Sequence, residues 1–297
     1  MKITDPQAFL NSLDVTIPPY EQFQKLGDMT ALHVDNNGQY HRVQYERGMM
    51  LYGLVAKYKP KNILEFGTGR GYGCLCMAWA MDDFRIPGKI FTLDYTAHEK
   101  SREWPIQRTT NNTPTTEFTS RKKVWDDLKK SSWLKHIEVL TGYSSEIMSK
   151  TELPKIEMCY IDGAHFYEGV KHDFFAFLKI AKENFITLFD DYAERENYGV
   201  KKFIDKEITN NFETTLIRTD VNKLITILEN SNDPDAGMIY IQSKSLKRPI
   251  EYIYPIKTRN DFLVKYQRFE KRLKLRDNLN DKFPFLLKIK FSKYLRI

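Results

Sequence analysis

The sequence predicts an α/β fold: a mostly parallel sheet with helices on both faces. Three observations predict it. Short apolar runs of strand type alternate with stretches of helical periodicity. A glycine-rich turn, EFGTGRG at Glu65 to Gly71, lies between one such strand and the next helix, and the strand that follows ends on an acid, Asp94.

The elements follow in order. Residues 1–40 read as irregular, with Pro18-Pro19 and the turn cluster Asp35-Asn36-Asn37-Gly38. From Gln44 to Tyr58, apolar residues at Tyr45, Met49, Tyr52, Leu54 and Val55 fall on helical spacing, and Lys59-Pro60 stops the helix. Ile63 to Phe66 is a short buried-type strand; a helix runs from about Tyr72 to Met81, and Lys89 to Asp94 is the next strand. Residues 95–120 are polar, rich in Thr and Asn, and read as a long irregular loop of the kind that carries function. After a helix near Arg121 to Lys130, strands are expected at Ile137 to Leu140, Ile156 to Ile161 and Phe185 to Phe189, with helices near Val170 to Ala181 and Val200 to Ile208. Thr214 to Arg218 and Met238 to Gln242 read as two strands with no long helix between them, which predicts an antiparallel strand at a sheet edge. Beyond Pro255, a helix over about Asn260 to Arg276 presents Phe262, Tyr266, Phe269 and Leu273 on one face, and FPFLLKIKFSKYLRI closes the chain.

Composition bounds the function. The 297 residues, 41% hydrophobic and 29% charged, bury a core that needs neither disulfides nor structural metal. Cys74, Cys76 and Cys159 form no CxxC pair, which argues for a reducing cytosol. The start of the sequence has no apolar leader, and no stretch approaches the ~20 apolar residues of a membrane span. The net charge of +7 is uneven: Lys257 to Ile297 carries 13 Lys and Arg against 4 Asp and Glu, which leaves the body at −2. A near-neutral body argues against DNA or RNA as substrate, because phosphates would approach the catalytic centre. The basic aromatic tail suits an anionic membrane surface at the inner face, docking on its own protein, or a second subunit in a homo-oligomer.

The glycines run GxGxG, with Glu65 two residues before the first. A dinucleotide fingerprint would need glycine where Tyr72 stands, and no GKS or GKT follows, so NAD, FAD and a phosphate-cradling P-loop are set aside. The stretch ILEFGTGRGYG resembles the first motif of class I S-adenosylmethionine-dependent methyltransferases, and LDY, containing Asp94, resembles their second-strand acidic motif. YIDGAHFYEGVKHD and LFDDYAERENYGVKKFI are similar to the branch of macrolide and aminocoumarin sugar O-methyltransferases and cephalosporin-hydroxylase-like proteins. The resemblance spans roughly Tyr45 to Ser243. It implies a Rossmann-like seven-stranded sheet with the last strand antiparallel, framed by an N-terminal irregular or helical lid (1–44), a methyltransferase domain (45–245) and a basic amphipathic extension (246–297).

The same resemblance implies a site. Gly67, Thr68, Gly69 and Gly71 would hold the methionine end of S-adenosylmethionine, with Glu65 near its ammonium. Asp94 would accept both ribose hydroxyls, a role that suits an acceptor-only carboxylate, and Gly142, Tyr143 and Ser144 would flank the adenine. Many relatives carry an acid where Tyr143 stands. Asp162, Asp190 and Asp191 close successive strands and would hold Mg²⁺, a hard cation suited to oxygen donors; solvated aspartates capping helices are the plain alternative. Relatives often read DGDH where this chain has Ala164, so His165 is the remaining candidate base, with Asp162 beside it. His172 and Asp173 read as helix surface. The expected reaction is methyl transfer to a hydroxyl of a sugar, small molecule or glycan. RNA or a small aromatic metabolite as acceptor, and a cofactor-binding scaffold without turnover, remain open alternatives.

Overall fold

The computed structural model describes residues 1–109, 113–196, 198–229 and 233–282. The strands are β1 (Lys2–Thr4), β2 (His33–Val34), β3 (Tyr40–His41), β4 (Asn62–Phe66), β5 (Lys89–Asp94), β6 (Ser101–Ile106), β7 (Thr115–Ser120), β8 (Ile137–Thr141), β9 (Ile156–Ile161), β10 (Ala181–Tyr192), β11 (Thr215–Ile217) and β12 (Gly237–Gln242). Eight of them form one sheet in the order β1-β11-β12-β10-β9-β4-β5-β8. Only β12 runs against its neighbours, pairing antiparallel with both β10 and β11. Each strand splits its side chains between two cores: Ile63, Met158 and Tyr160 face the helices Glu46–Tyr58 and Tyr72–Asp83, while Leu64, Phe66, Cys159 and Ile161 face the helix Tyr167–Ile180. The α/β class and the antiparallel last strand match the sequence reading, but β12 lies inside the sheet between β11 and β10 and not at its edge, because β11 and β1 extend the sheet beyond it.

The sheet has eight strands, not seven, because Lys2–Thr4 pairs in parallel with Thr215–Ile217 at one edge. The N-terminal residues read as irregular also build the helices Pro6–Leu13 and Tyr20–Thr30. The first has a legible start, since Asp5 accepts from the Ala8 N–H at 2.8 Å and Pro6 follows it.

Two further readings are corrected. The polar stretch after β5 contains a hairpin, β6 against β7 in register from Ser101↔Ser120 to Ile106↔Thr115. Its Thr content suits a strand, and Trp104 and Ile106 turn inward onto Val124. A helix, Val221–Glu229, joins β11 to β12. Its β-branched run disguises it locally, but Val221 and Ile225, four apart, pack into one cluster with Ala193 and Ala236.

The C-terminal helix, Ile256–Lys282, lies across the helix Tyr167–Ile180. Phe262 meets Phe175 at 5.5 Å, and Tyr266, 3% exposed, stacks on His172 at 4.3 Å. The apolar face of this helix is thus spent on the protein itself. FPFLLKIKFSKYLRI lies outside the described residues.

Candidate active site

β4 is flanked by β5 on one side and β9 on the other, so the strand order reverses there, and the loops beyond the C-terminal ends of these strands open a crevice. The glycine loop after β4 is fixed by backbone bonds: the N–H groups of Gly67 and Thr68 donate to the Leu93 carbonyl at 2.9 and 3.1 Å. Gly67 adopts φ +92, and a Cβ there would strike the Asp162 carbonyl. Gly69, at φ +52, has nothing near its Cβ direction; it leaves the backbone open to a bound molecule.

Two cavities meet at this loop. The first, about 390 Å³, is lined by Gly67, Gly69, Asp94, Gly142, Tyr143 and Ser144, among others. The second, about 430 Å³, is lined by Glu65, Gly67, Thr68, Gly69 and Gly73 with residues of the N-terminal segment and of β6. The division matches a nucleoside lodged in one and an amino-acid end in the other. Gly71 lines neither; it is held at φ +98 with Trp125 against its Cβ position.

Glu65 is 1% exposed and accepts from the Thr92 hydroxyl. Burial pushes its carboxyl up to about 7. Asp94 is already engaged: Oδ1 accepts from the Thr96 N–H at 2.7 Å and Oδ2 from Arg121 Nη2 at 2.8 Å. Each oxygen retains a lone pair for a ribose hydroxyl. Arg121, 2% exposed, also donates Nε to the Gly69 carbonyl at 3.0 Å, which ties the acid to the glycine loop. Sequence reasoning missed Arg121. Its signal is a cation in the first turn of a helix, where the helix dipole disfavours one.

The acidic group divides. Neighbouring residues of a strand point to opposite faces, and Asp190 and Asp191 do so here. Asp190 accepts from Tyr160 Oη at 2.6 Å and from Arg47 Nη1 at 2.9 Å. Asp191, at φ +56 in a β-bulge, turns instead to His165 Nδ1 at 3.1 Å, with Arg195 Nη1 at 3.7 Å. The cluster that forms is therefore Asp162, His165 and Asp191, whose donor atoms lie within 4.8 Å of one another. Burial, then the charge of Asp190, pushes the Asp162 and Asp191 carboxyls up. Two oxygens and one imidazole fit a divalent cation: the carboxylates suit Mg²⁺ or Mn²⁺, and the imidazole suits a transition ion such as Fe²⁺ or Zn²⁺.

Of the two expected catalytic residues, Asp162 lines both cavities, whereas His165 lines neither and stacks on Tyr198 at 4.9 Å. His172 and Asp173, read as helix surface, are both buried and hydrogen-bonded to each other at 2.9 Å.

Residues 64–192 match the family of methyltransferase domains. No curated protein matches the chain. Among solved structures, cofactor-bound Rv0187 from MTB aligns with a TM-score of 0.50 at 15% identity, over 82% of this chain and 100% of that one. That likeness concerns the fold. The O-methyltransferase TomG from Streptomyces achromogenes, involved in tomaymycin synthesis and solved with SAM, gives 0.48 at 13% identity over 79% and 95%. The O-methyltransferase from Bacillus cereus in complex with SAH gives 0.45 at 16% over 80% and 96%.

The matched segment ends before a contribution that sequence reasoning also missed. Tyr266, Glu270 and Leu273 of the C-terminal helix line the first cavity. Glu270 accepts from the Ser145 N–H at 3.0 Å and from the Ser145 hydroxyl at 2.5 Å. It brings a carboxylate into the wall that Tyr143 also lines without one.

Proposed function

We propose that this chain is an S-adenosylmethionine-dependent O-methyltransferase, assisted by a divalent cation, that methylates a hydroxyl of a sugar or glycoconjugate. The observation that carries the reading is the pair of cavities joined at Gly67 and Gly69, with Asp94 in one and Glu65 in the other. Glu65 is the buried anion for the methionine ammonium, and Asp94, steadied by Arg121, accepts from the ribose. S-adenosylmethionine supplies an electrophilic methyl group on sulfur and leaves as S-adenosylhomocysteine. Asp162, which lines both cavities, would take the hydroxyl proton on one carboxylate oxygen as the attacking oxygen gains its methyl group. Asp162, His165 and Asp191 would hold the cation, which supplies Lewis-acid activation and alignment of the hydroxyl. A polar second cavity, with Thr30, His33, Arg47 and Arg70 in its wall, suits a hydroxylated acceptor.

Calorimetric titration of the folded chain with S-adenosylhomocysteine tests the first half; no binding would sink it. Transfer from labelled S-adenosylmethionine to a panel of sugars, with EDTA and then added Mn²⁺ or Mg²⁺, tests the second. EDTA is expected to abolish transfer and Mn²⁺ or Mg²⁺ to restore it, and turnover indifferent to EDTA would remove the cation from the reading.

A further inference from the structure

The second cavity holds guanidinium groups that its own carboxylates do not take up. Arg47, Arg70 and Arg102 all line it, with Glu65, Glu103 and Asp162 in the same wall. Arg47 is committed, at 2.9 Å from Asp190 and 3.4 Å from Asp162. Arg102 donates Nη2 to the Gly69 carbonyl at 2.9 Å and stacks over Trp104 at 5.4 Å. Arg70 donates Nη1 to the Pro105 carbonyl at 3.1 Å. Among the described residues, neither Arg70 nor Arg102 forms an ion pair with a carboxylate. Each guanidinium offers five N–H donors, so most of their capacity is unspent.

The surroundings register the excess. Burial, with Arg102 and Arg47 adding to it, pushes Arg70 down to about 10. His33, in the same wall, is pushed down to about 3 by burial and by Arg70 and Arg47, so it stays neutral at physiological pH. A partly buried cation without a paired carboxylate is costly, and the guanidinium fork matches the oxygens of a carboxylate or a phosphate.

The methyl donor brings a single carboxylate, whose positive counterpart is the ammonium assigned to Glu65. Arg102 lines both cavities and so follows the donor from its nucleoside to its amino-acid end; a donor with one carboxylate engages one guanidinium, which on this placement is Arg102, and leaves the other over. Arg70 lines the second cavity alone. We infer that Arg70 reads an anionic group on the acceptor, so that the substrate class is a hydroxylated compound carrying a phosphate or a carboxylate. This rests on the methyl-transfer reading above.

The experiment titrates the full chain, saturated with S-adenosylhomocysteine, with glucose 1-phosphate, glucuronate and neutral glucose. At least one charged sugar is expected to bind roughly tenfold or more tighter than glucose, as one charge-assisted fork gives. The phosphate and carboxylate arms tell which anion is preferred. In Arg70→Gln the charged sugar should fall to the level of glucose while S-adenosylhomocysteine affinity stays within about threefold. Arg70→Lys, which keeps the charge and loses the fork, should fall between, and guards against a glutamine variant that does not fold. Equal binding of charged and neutral sugars by the wild type overturns the inference. So does an Arg70→Gln variant that loses S-adenosylhomocysteine as severely as the sugar, because Arg70 would then serve the donor. If the folded wild type fails to bind S-adenosylhomocysteine at all, the underlying reading falls and the inference falls with it.

Discussion

Asp94 shows how much a single carboxylate can carry. It closes β5, accepts from Thr96 and neutralises Arg121, itself almost wholly buried. Asp94→Ala leaves that guanidinium buried without its counter-ion, and a loss of about 3 kcal/mol is expected in urea unfolding. Adding Arg121→Met should restore part of the stability and none of the affinity for S-adenosylhomocysteine, which separates the structural role of the pair from the binding role of the acid. Glu65 gives a prediction in pH. Its folded value, raised to about 7 by burial, exceeds the unfolded one, so the unfolded chain releases this proton first as pH rises. Stability from this group is therefore full below about pH 4.5 and declines as pH rises to about 7, by about 3 kcal/mol in all. Unfolding measured across that range should lose this slope in Glu65→Gln. A bound ammonium favours the ionised form, so affinity for S-adenosylhomocysteine should climb with pH through about 7 in the wild type and stay flat in the variant.

The C-terminal helix joins the packing to the site. Tyr266 is buried against His172 and near Phe262 and Phe269, and its neighbour on the same face, Glu270, holds the start of the helix Ser144–Lys150. Tyr266→Ala is expected to cost about 3 kcal/mol as a large aromatic cavity and to weaken S-adenosylhomocysteine binding. Lys271→Ala, on the exposed side, should change stability by less than about 0.5 kcal/mol. Parallel urea melts and calorimetry check both. Sequence periodicity showed that this helix has an apolar face. What covers that face depends on where the helix Tyr167–Ile180 lies in space, so docking on the protein, on a second subunit or on a membrane could not be told apart beforehand. The hairpin β6–β7 was hidden for a similar reason: its burial comes from Met29 and Val124, which accept Trp104 and Ile106 only once the chain has folded.

Across the molecule, the first strand pairs beside β11, and the last helix packs on the helices Tyr167–Ile180 and Ser144–Lys150, so both ends of the described chain are tied to the same body. A single cooperative transition is expected. Fluorescence from Trp79, Trp104, Trp125 and Trp133, all on buried sites, should coincide with far-ultraviolet dichroism during unfolding. Separated transitions would contradict this. S-adenosylhomocysteine at about a hundred times its dissociation constant should add about 2.7 kcal/mol to the unfolding free energy, read as a rise in Tm.

The sequence by itself determined the alternation of strands and helices, the glycine turn after β4 and the acids that end β5, β9 and β10, because periodicity and strand ends are local properties. It also held the acidic groups of the site. Tertiary structure alone decided which of them meet. Asp190 and Asp191 are neighbours in the chain, yet the pleat and the bulge send one to Arg47 and the other to His165. Glu270 and Arg70 join the cavities from the terminal helix and the glycine loop, and Arg121 holds Asp94 from a helix start. The distances between such segments are set by the packing of the whole sheet, which no window of sequence contains.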